Sequence, residues 1–341
     1  MTAVEGVQAA TVTRWFEEHV DGVVPPLDFS LIAGGHSNLT FKVTDRAGGT
    51  WVLRRPPLHH VLPTAHDMSR EHKIISALGP TPVPVAPAVG LCTDESVNGT
   101  PFYVMDFVEG HVLRTTEIAS ALLNEEQRRA AGESLVDVMA EIHSVDVDAV
   151  GLGDLGRREG YIERQLKRWY SQFEQSKTRQ VPVLDEVFNI LKDRVPEQCA
   201  ATIVHGDYRL DNTMLADDGR VKAVLDWEIC TLGDPLADVG LLMVYWSEAS
   251  DEIESLPSSP TVLPGFPSRK EVADRYAERS GRDLSRLDFY VAFGYWKLAC
   301  IIEGVYARYV GGAMGSGSTG FEHFGDQVVR LAEAAKAAAE G

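Results

Sequence analysis

The run His205-Gly206-Asp207-Tyr208-Arg209-Leu210-Asp211-Asn212 follows a short apolar stretch, residues 201–204. Nineteen residues past Asp207 stands Asp226, in Val224-Leu225-Asp226-Trp227-Glu228, at the end of a second apolar stretch, 221–225. An Asp, an Asn five residues on and another Asp at a later strand end make up the acidic set that phosphoryl transfer from a nucleotide requires. Asp207 is placed to accept the proton of an attacking hydroxyl. Asn212 offers a neutral oxygen, and Asp226 a carboxylate, to Mg²⁺, a hard ion that takes oxygen ligands and keeps several waters. Turns and helix caps also favour Asp and Asn. The two pieces in this order, each behind an apolar strand, point to chemistry.

A nucleotide needs a phosphate cradle and a cation. Ala33-Gly34-Gly35-His36-Ser37-Asn38-Leu39-Thr40 lies between strand-like runs. A glycine such as Gly35 lets backbone amides approach phosphates, and Ser37 and Asn38 could add hydrogen bonds. An ordinary glycine turn is the other reading, and His36 reads as a loop histidine. Arg54 closes the strand-like run 50–55, where a cation reaches α- and β-phosphates. Seventeen residues on, Glu71 lies in a helical run, 69–78, from which a carboxylate can hold that cation. Two surface charges are the alternative. Arg55 is expected to point the opposite way from Arg54, because side chains alternate along a strand.

Around these residues the pattern predicts a strand-rich first hundred residues with one embedded helix. The run 11–20 reads as an amphipathic helix. Strands are expected over 31–44, 50–55, 88–92 and 101–107, and Ser69 is expected to start the helix 69–78. Past residue 110 the pattern turns helical: 125–145, 161–177, 183–195, 236–248, 269–280, 284–309 and 324–340. Residues 253–268, rich in Pro and Ser, and 311–320, rich in Gly and Ser, read as mobile surface loops, the second a possible lid. The expected domains are 1–107, a nucleotide-binding lobe, and 108–341, a catalytic and substrate-binding lobe.

Composition narrows the partners. The 341 residues hold 32 Lys and Arg against 50 Asp and Glu, a formal charge of −18. Such a surface repels phosphate backbones, which argues against nucleic acid. Cys92, Cys199, Cys230 and Cys300 are scattered without metal or disulfide spacing. The first twenty residues lack a basic start with an apolar core, so no secretory leader is expected. The longest apolar runs, 237–246 and 290–302, are short or broken by Asp238 and Lys297 and read as buried helices rather than membrane spans. A cytoplasmic protein with no membrane partner is expected; oligomeric state is open.

With these motifs in line, the sequence resembles the aminoglycoside phosphotransferase family, from about Leu31 to Tyr309. Its runs 34–41, 51–57, 63–78, 101–110, 205–212 and 224–240 are more narrowly similar to the kinase-like domain fused to some acyl-CoA dehydrogenases. The resemblance implies an α+β, bilobal protein-kinase-like fold, with a small antiparallel-sheet N-terminal lobe and a larger helical C-terminal lobe. It implies ATP and Mg²⁺ as cofactors, Asp207 as the catalytic Asp, and Asn212 and Asp226 as Mg²⁺ ligands. It implies a hinge at residues 105–108, with the Asp106 carbonyl and Val108 amide toward adenine, and a buried structural Asp238. Where protein kinases carry Lys this chain has Arg54, which keeps the charge but presents a planar fork.

The acceptor implied by the narrower resemblance is a 4-hydroxyacyl-CoA, anionic and long. Arg157, Arg158, Arg164, Lys167 and Arg168, near Tyr161, Trp169 and Tyr170, are a candidate surface for its phosphates, with a solvated helix face as the plainer reading. An aminoglycoside is the alternative acceptor. A kinase-like protein that binds nucleotide without transfer is an alternative of a different class. His59, His60 and His66 form no credible metal site.

Overall fold

Two units make up the fold, Met1–His111 with Lys222–Glu228, and Val112–Val221 with Ile229–Gly341. The computed structural model describes residues 4–33, 38–58, 66–251, 258–311 and 322–341.

The first unit runs α1 (Ala9–His19), β1 (Asp28–Ala33), β2 (Leu39–Thr44), β3 (Thr50–Arg55), α2 (Met68–Leu78), β4 (Ala88–Cys92), α3 (Glu95–Asn98) and β5 (Phe102–Asp106). The strands pair antiparallel in the order β1-β2-β3-β5-β4. Alternation decides what each face carries. Leu39, Phe41 and Val43 on β2, Leu53 on β3, and Phe102 and Val104 on β5 form one core with Val12, Trp15 and Phe16 of α1. Each such buried side chain contributes about 1.5–3 kcal/mol. The opposite face carries Thr40, Arg54 and Tyr103, side by side in register across β2, β3 and β5.

Helix α2 packs against β4 and β5. Its buried stripe is Met68, Glu71, Ile74, Ile75 and Leu78, so Glu71 holds a position that spacing gives to the core. The cap is Asp67 rather than the expected Ser69. The Asp67 carboxylate accepts from the Ser69 and Arg70 amides at 3.0 and 3.1 Å, satisfying two orphan donors.

In chain order follow α4 (Thr116–Leu122), α5 (Glu125–Ser144), α6 (Tyr161–Ser176), α7 (Pro182–Asp193), β6 (Thr202–Val204), β7 (Thr213–Leu215), β8 (Val221–Val224), β9 (Thr231–Gly233), α8 (Leu236–Tyr245), α9 (Arg269–Ser280), α10 (Leu287–Val310) and α11 (Glu322–Glu340). In the second unit β6 pairs antiparallel with β9. Every residue of α8 is buried, which explains why its sequence lacks a polar face. It packs against α10. Gly240 permits the approach: a Cβ there would lie 2.4 Å from the Tyr290 carbonyl group.

The Pro- and Ser-rich segment departs from its expectation over 258–268. Ser259, Pro260 and Thr261 are buried, and the Pro267 carbonyl accepts from Trp246 Nε1 at 2.9 Å. Composition suggested mobility; a buried Trp with a polar tip supplies the anchor. Residues 252–257 and 312–321 lie outside the described residues, and with them the expected lid. Among the described residues no helix is long and apolar enough to cross a membrane.

Candidate active site

In the first unit, Arg54 is the centre of a partly buried charge cluster, of which Glu71 is the buried carboxylate. Its Nε lies 2.9 Å from Glu71 Oε2 and its Nη2 lies 2.5 Å from Asp226 Oδ1. The Tyr103 hydroxyl donates to Glu71 Oε2 at 3.1 Å. Asn38 Nδ2 donates to Glu71 Oε1 at 2.7 Å and reaches Glu228 Oε2 at 3.3 Å. His66 Nδ1 stands 3.6 Å from Glu228. Strand alternation explains why Arg54 takes this role. Arg55 points to the other face, where its guanidinium donates to the Gly6 carbonyl at 2.6 Å.

The electrostatics are lopsided. Burial alone would lower Arg54, but Glu71, Tyr103, Asp226 and Glu228 outweigh it and hold the guanidinium firmly protonated. Glu71 gains no matching stabilisation as an anion. Its carboxyl is pushed up to about 7: burial, then Asp226 and Glu228, raise it against the pull of Arg54 and the Tyr103 hydrogen bond. One guanidinium thus serves three carboxylates.

Asp226 follows β8 with φ +62, in the left-handed region. Asp tolerates that conformation better than most residues. A regular strand would have carried the side chain on by simple alternation; the turn instead brings Oδ1 to Arg54.

In the second unit, β6 delivers the chain into His205–Asn212. Asp238, from the first turn of α8, lies beneath. Its Oδ2 accepts from the His205 amide at 2.7 Å and its Oδ1 from the Gly206 amide at 2.9 Å. His143 Nε2 stands 3.3 Å from Asp238, and its Nδ1 2.7 Å from the Tyr276 hydroxyl. Burial opposes the Asp238 anion, but the His143 and amide bonds hold its carboxyl below the ordinary range. Gly206 has φ +87, so the turn into Asp207 suits glycine. The buried Tyr208 ties the loop to α5 by donating to the Leu135 carbonyl at 2.8 Å.

Asn212 closes on Asp207. Its Nδ2 donates to the Asp207 carbonyl at 2.8 Å and to Asp207 Oδ2 at 2.9 Å. Both amide hydrogens are thereby engaged, and Oδ1 is the atom left to face a cation. Arg209 Nε lies 3.5 Å from Asp207 Oδ2 and 2.9 Å from Asp211, with its guanidinium over the Tyr245 ring. Burial first, then the nearby Asp207, pushes the Tyr245 hydroxyl well above its ordinary range. Arg209, Asp211 and Tyr245 line a cavity with Arg114, Trp246 and Thr261.

The expected residues thus fall into two groups. Arg54, Glu71 and Asp226 meet in the first unit, and Asp207 and Asn212 in the second. Asn38, grouped by sequence with the glycine loop, is 3% exposed and braces Glu71 and Glu228. Gly35 and Ser37 lie outside the described residues. Asp106 ends β5, its amide bonded to the Pro87 carbonyl at 2.9 Å; among the described residues the Val108 amide has no backbone partner. Much of the basic cluster is turned to its own neighbourhood: Arg158 pairs with Asp148, and Arg164 donates to the carbonyls of Glu159 and Arg157. Sequence reasoning missed Tyr245 and the buried Lys297, whose Nζ donates to the Gly206 carbonyl at 3.0 Å. A charge within an otherwise apolar helical run was the signal for Lys297; Tyr245 gave none.

The sequence profile of the Phosphotransferase enzyme family matches residues 28–290. The chain belongs to that family. A solved structure from Ralstonia eutropha, provisionally described as an aminoglycoside phosphotransferase, is 34% identical, with a TM-score of 0.82, over 97% of this chain and 98% of that one. An aminoglycoside phosphotransferase in ternary complex with streptomycin and ATP is 14% identical over 89% of this chain and 91% of its own, with a TM-score of 0.58, a likeness of fold. Acyl-CoA dehydrogenase family member 10 of Mus musculus is 34% identical over 85% of this chain but only 27% of its own length. The chain spans between 27% and 39% of the length of relatives of this kind. The fold is therefore the protein-kinase-like one, an antiparallel sheet in the N-terminal part and helices in the C-terminal part. The family chemistry is phosphoryl transfer to a hydroxyl of a small molecule.

The donor groups suit Mg²⁺. Asn212 keeps a hard oxygen free of its own amide bonds, and the Arg54 cluster carries more carboxylate than guanidinium charge. Among the described residues no three His, Cys, Asp or Glu side chains form an all-protein metal site. An ion bound together with phosphates needs only one or two protein ligands.

Proposed function

We propose that this chain transfers the γ-phosphoryl group of ATP to a hydroxyl on the chain of an acyl-CoA, a 4-hydroxyacyl-CoA. The observation that carries the transfer is Asp207, fixed on one side by Asn212 and behind by the Asp238-anchored loop. Asp207 orients the acceptor hydroxyl and takes its proton as the phosphoryl group arrives. Arg54, steadied by Glu71, meets the nucleotide phosphates, and Gly35, Ser37 and Asn38 are the further residues assigned to them by sequence. Asp106 and Val108 receive adenine. Asn212 and Asp226 would hold Mg²⁺, which when bound neutralises phosphate charge. Most of the acceleration comes from positioning and electrostatics, since the transition state is loose.

The acyl-CoA acceptor is supported by relatives named as acyl-CoA dehydrogenase family members. An aminoglycoside acceptor is the second reading, favoured by the formal charge of −18, which suits a polycation. A panel assay separates them. Phosphorus NMR of reactions holding Mg-ATP with a 4-hydroxyacyl-CoA, or with an aminoglycoside, should show a new phosphate ester with the thioester. An ester with the aminoglycoside alone reverses the ranking. Nucleotide binding without any ester supports a silent kinase-like protein.

A further inference from the structure

Helix α10 carries one cation into the neighbourhood of Asp207. Lys297 is 7% exposed, and its Nζ donates to the carbonyl of Gly206, the residue just before Asp207, at 3.0 Å. The Trp169 ring lies 5.7 Å from the same nitrogen, and the Arg168 guanidinium lies 5.4 Å from that ring. Burial holds the Lys297 ammonium below the ordinary lysine range; Asp207 and Asp238 attract it, and Arg168 repels it.

An ammonium has three donors. One goes to Gly206, and the aromatic face receives the charge without taking a conventional hydrogen bond. Among the described residues no carboxylate comes within ion-pair distance of Lys297. The same helix shows how a purely structural charge is treated: the fully buried Glu303 is paired with Arg179 at 3.1 Å. A buried ammonium without a carboxylate, bonded to the residue before Asp207, keeps donor capacity that a ligand oxygen can complete.

We propose that Lys297 binds the acceptor. It donates to a carbonyl or carboxylate oxygen near the reacting hydroxyl, and its charge turns away acceptors that bring an ammonium group to that position. This rests on the phosphotransfer reading and names the class of acceptor that reading requires: an oxygen-bearing, neutral or anionic hydroxy compound rather than a polyamine.

The test measures binding by calorimetry, separately from turnover. Probes are 4-hydroxypentanoyl-CoA, kanamycin and ATP; proteins are wild type, Lys297→Met, Lys297→Gln and Lys297→Arg. Both uncharged variants should bind the thioester at least tenfold more weakly and ATP within twofold of wild type. Lys297→Arg should stay within about threefold for both. Discrimination against kanamycin should shrink in the uncharged variants. Thioester binding unchanged in whichever uncharged variant folds would overturn the proposal. So would equal losses for thioester and ATP, the mark of a structural role, or a wild type that binds kanamycin alone or neither acceptor. Lysine-dependent thioester binding in a wild type that makes no phosphate ester would keep the binding role and sink the phosphotransfer reading instead.

Discussion

Arg54 Nη2 and Asp226 Oδ1 lie 2.5 Å apart, and the same guanidinium reaches Glu71 through Nε. A strand residue and a turn residue 172 positions later share one charge. The cation proposed for the phosphates and the carboxylate proposed for the metal are therefore bound to each other within one unit of the chain.

Removing that cation leaves Glu71, Asp226 and Glu228 unopposed, with Glu71 only 2% exposed. Arg54→Ala should cost about 3–5 kcal/mol of stability, the usual cost of breaking a buried pair from one side. Arg54→Lys should lie between, since a single ammonium cannot fork to both carboxylates. Urea unfolding of the three proteins checks this; equal midpoints for wild type and Arg54→Ala would refute the cluster's importance.

The Glu71 carboxyl gives a pH dependence with a definite sign. Burial first, then Asp226 and Glu228, raise it from 4.5 to about 7 in the folded chain. Between those values the folded state holds the extra proton. The contribution is fully present below about pH 4.5 and is lost as pH rises through about 7. Its ceiling is on the order of 3 kcal/mol. Glu71→Gln should flatten the fall in stability between pH 5 and 8. Parallel wild-type and variant curves across that window would contradict the raised carboxyl.

Asp238 holds the peptide that precedes Asp207. In Asp238→Ala the His205 and Gly206 amides and His143 lose a buried acceptor. Stability should fall by about 3 kcal/mol or more. In Asp238→Asn one oxygen remains, the fold should survive, and turnover should drop about a hundredfold through misplacement of Asp207. Turnover near wild type in Asp238→Asn would show that the loop holds itself.

Gly240 offers a purely steric test. A methyl group there would meet the Tyr290 backbone at 2.4 Å, so Gly240→Ala must separate α8 from α10. A loss of about 1–3 kcal/mol in thermal unfolding is expected, together with reduced turnover, because α8 carries Asp238 and α10 carries Lys297. An unchanged melting temperature would mean the two helices are not in contact there.

Much of the site could be read in the chain because its parts are local. The candidate catalytic run 205–212 is contiguous, and the opposite orientations of Arg54 and Arg55 follow from strand alternation alone. The three-residue strands β7 and β9 escaped notice because so short a stretch has no period. Tyr245 comes near Asp207, and Lys297 reaches the Gly206 carbonyl, only through the packing of α8 and α10, which no local pattern encodes. Residues 258–268 read as mobile from Pro and Ser content, whereas their order comes from Trp246, outside the segment. The excess acidity of the whole chain says nothing of the local cation beside Asp207. That is why the sequence leaves an aminoglycoside open as an acceptor.

Asp207 is proposed to engage the acceptor rather than the nucleotide. Asp207→Asn keeps the shape and removes the base. Turnover with Mg-ATP and a 4-hydroxyacyl-CoA should fall by two orders of magnitude or more, while ATP affinity by calorimetry stays within about threefold of wild type. Near-normal turnover in this variant, with ATP binding intact, would show that Asp207 is not the base.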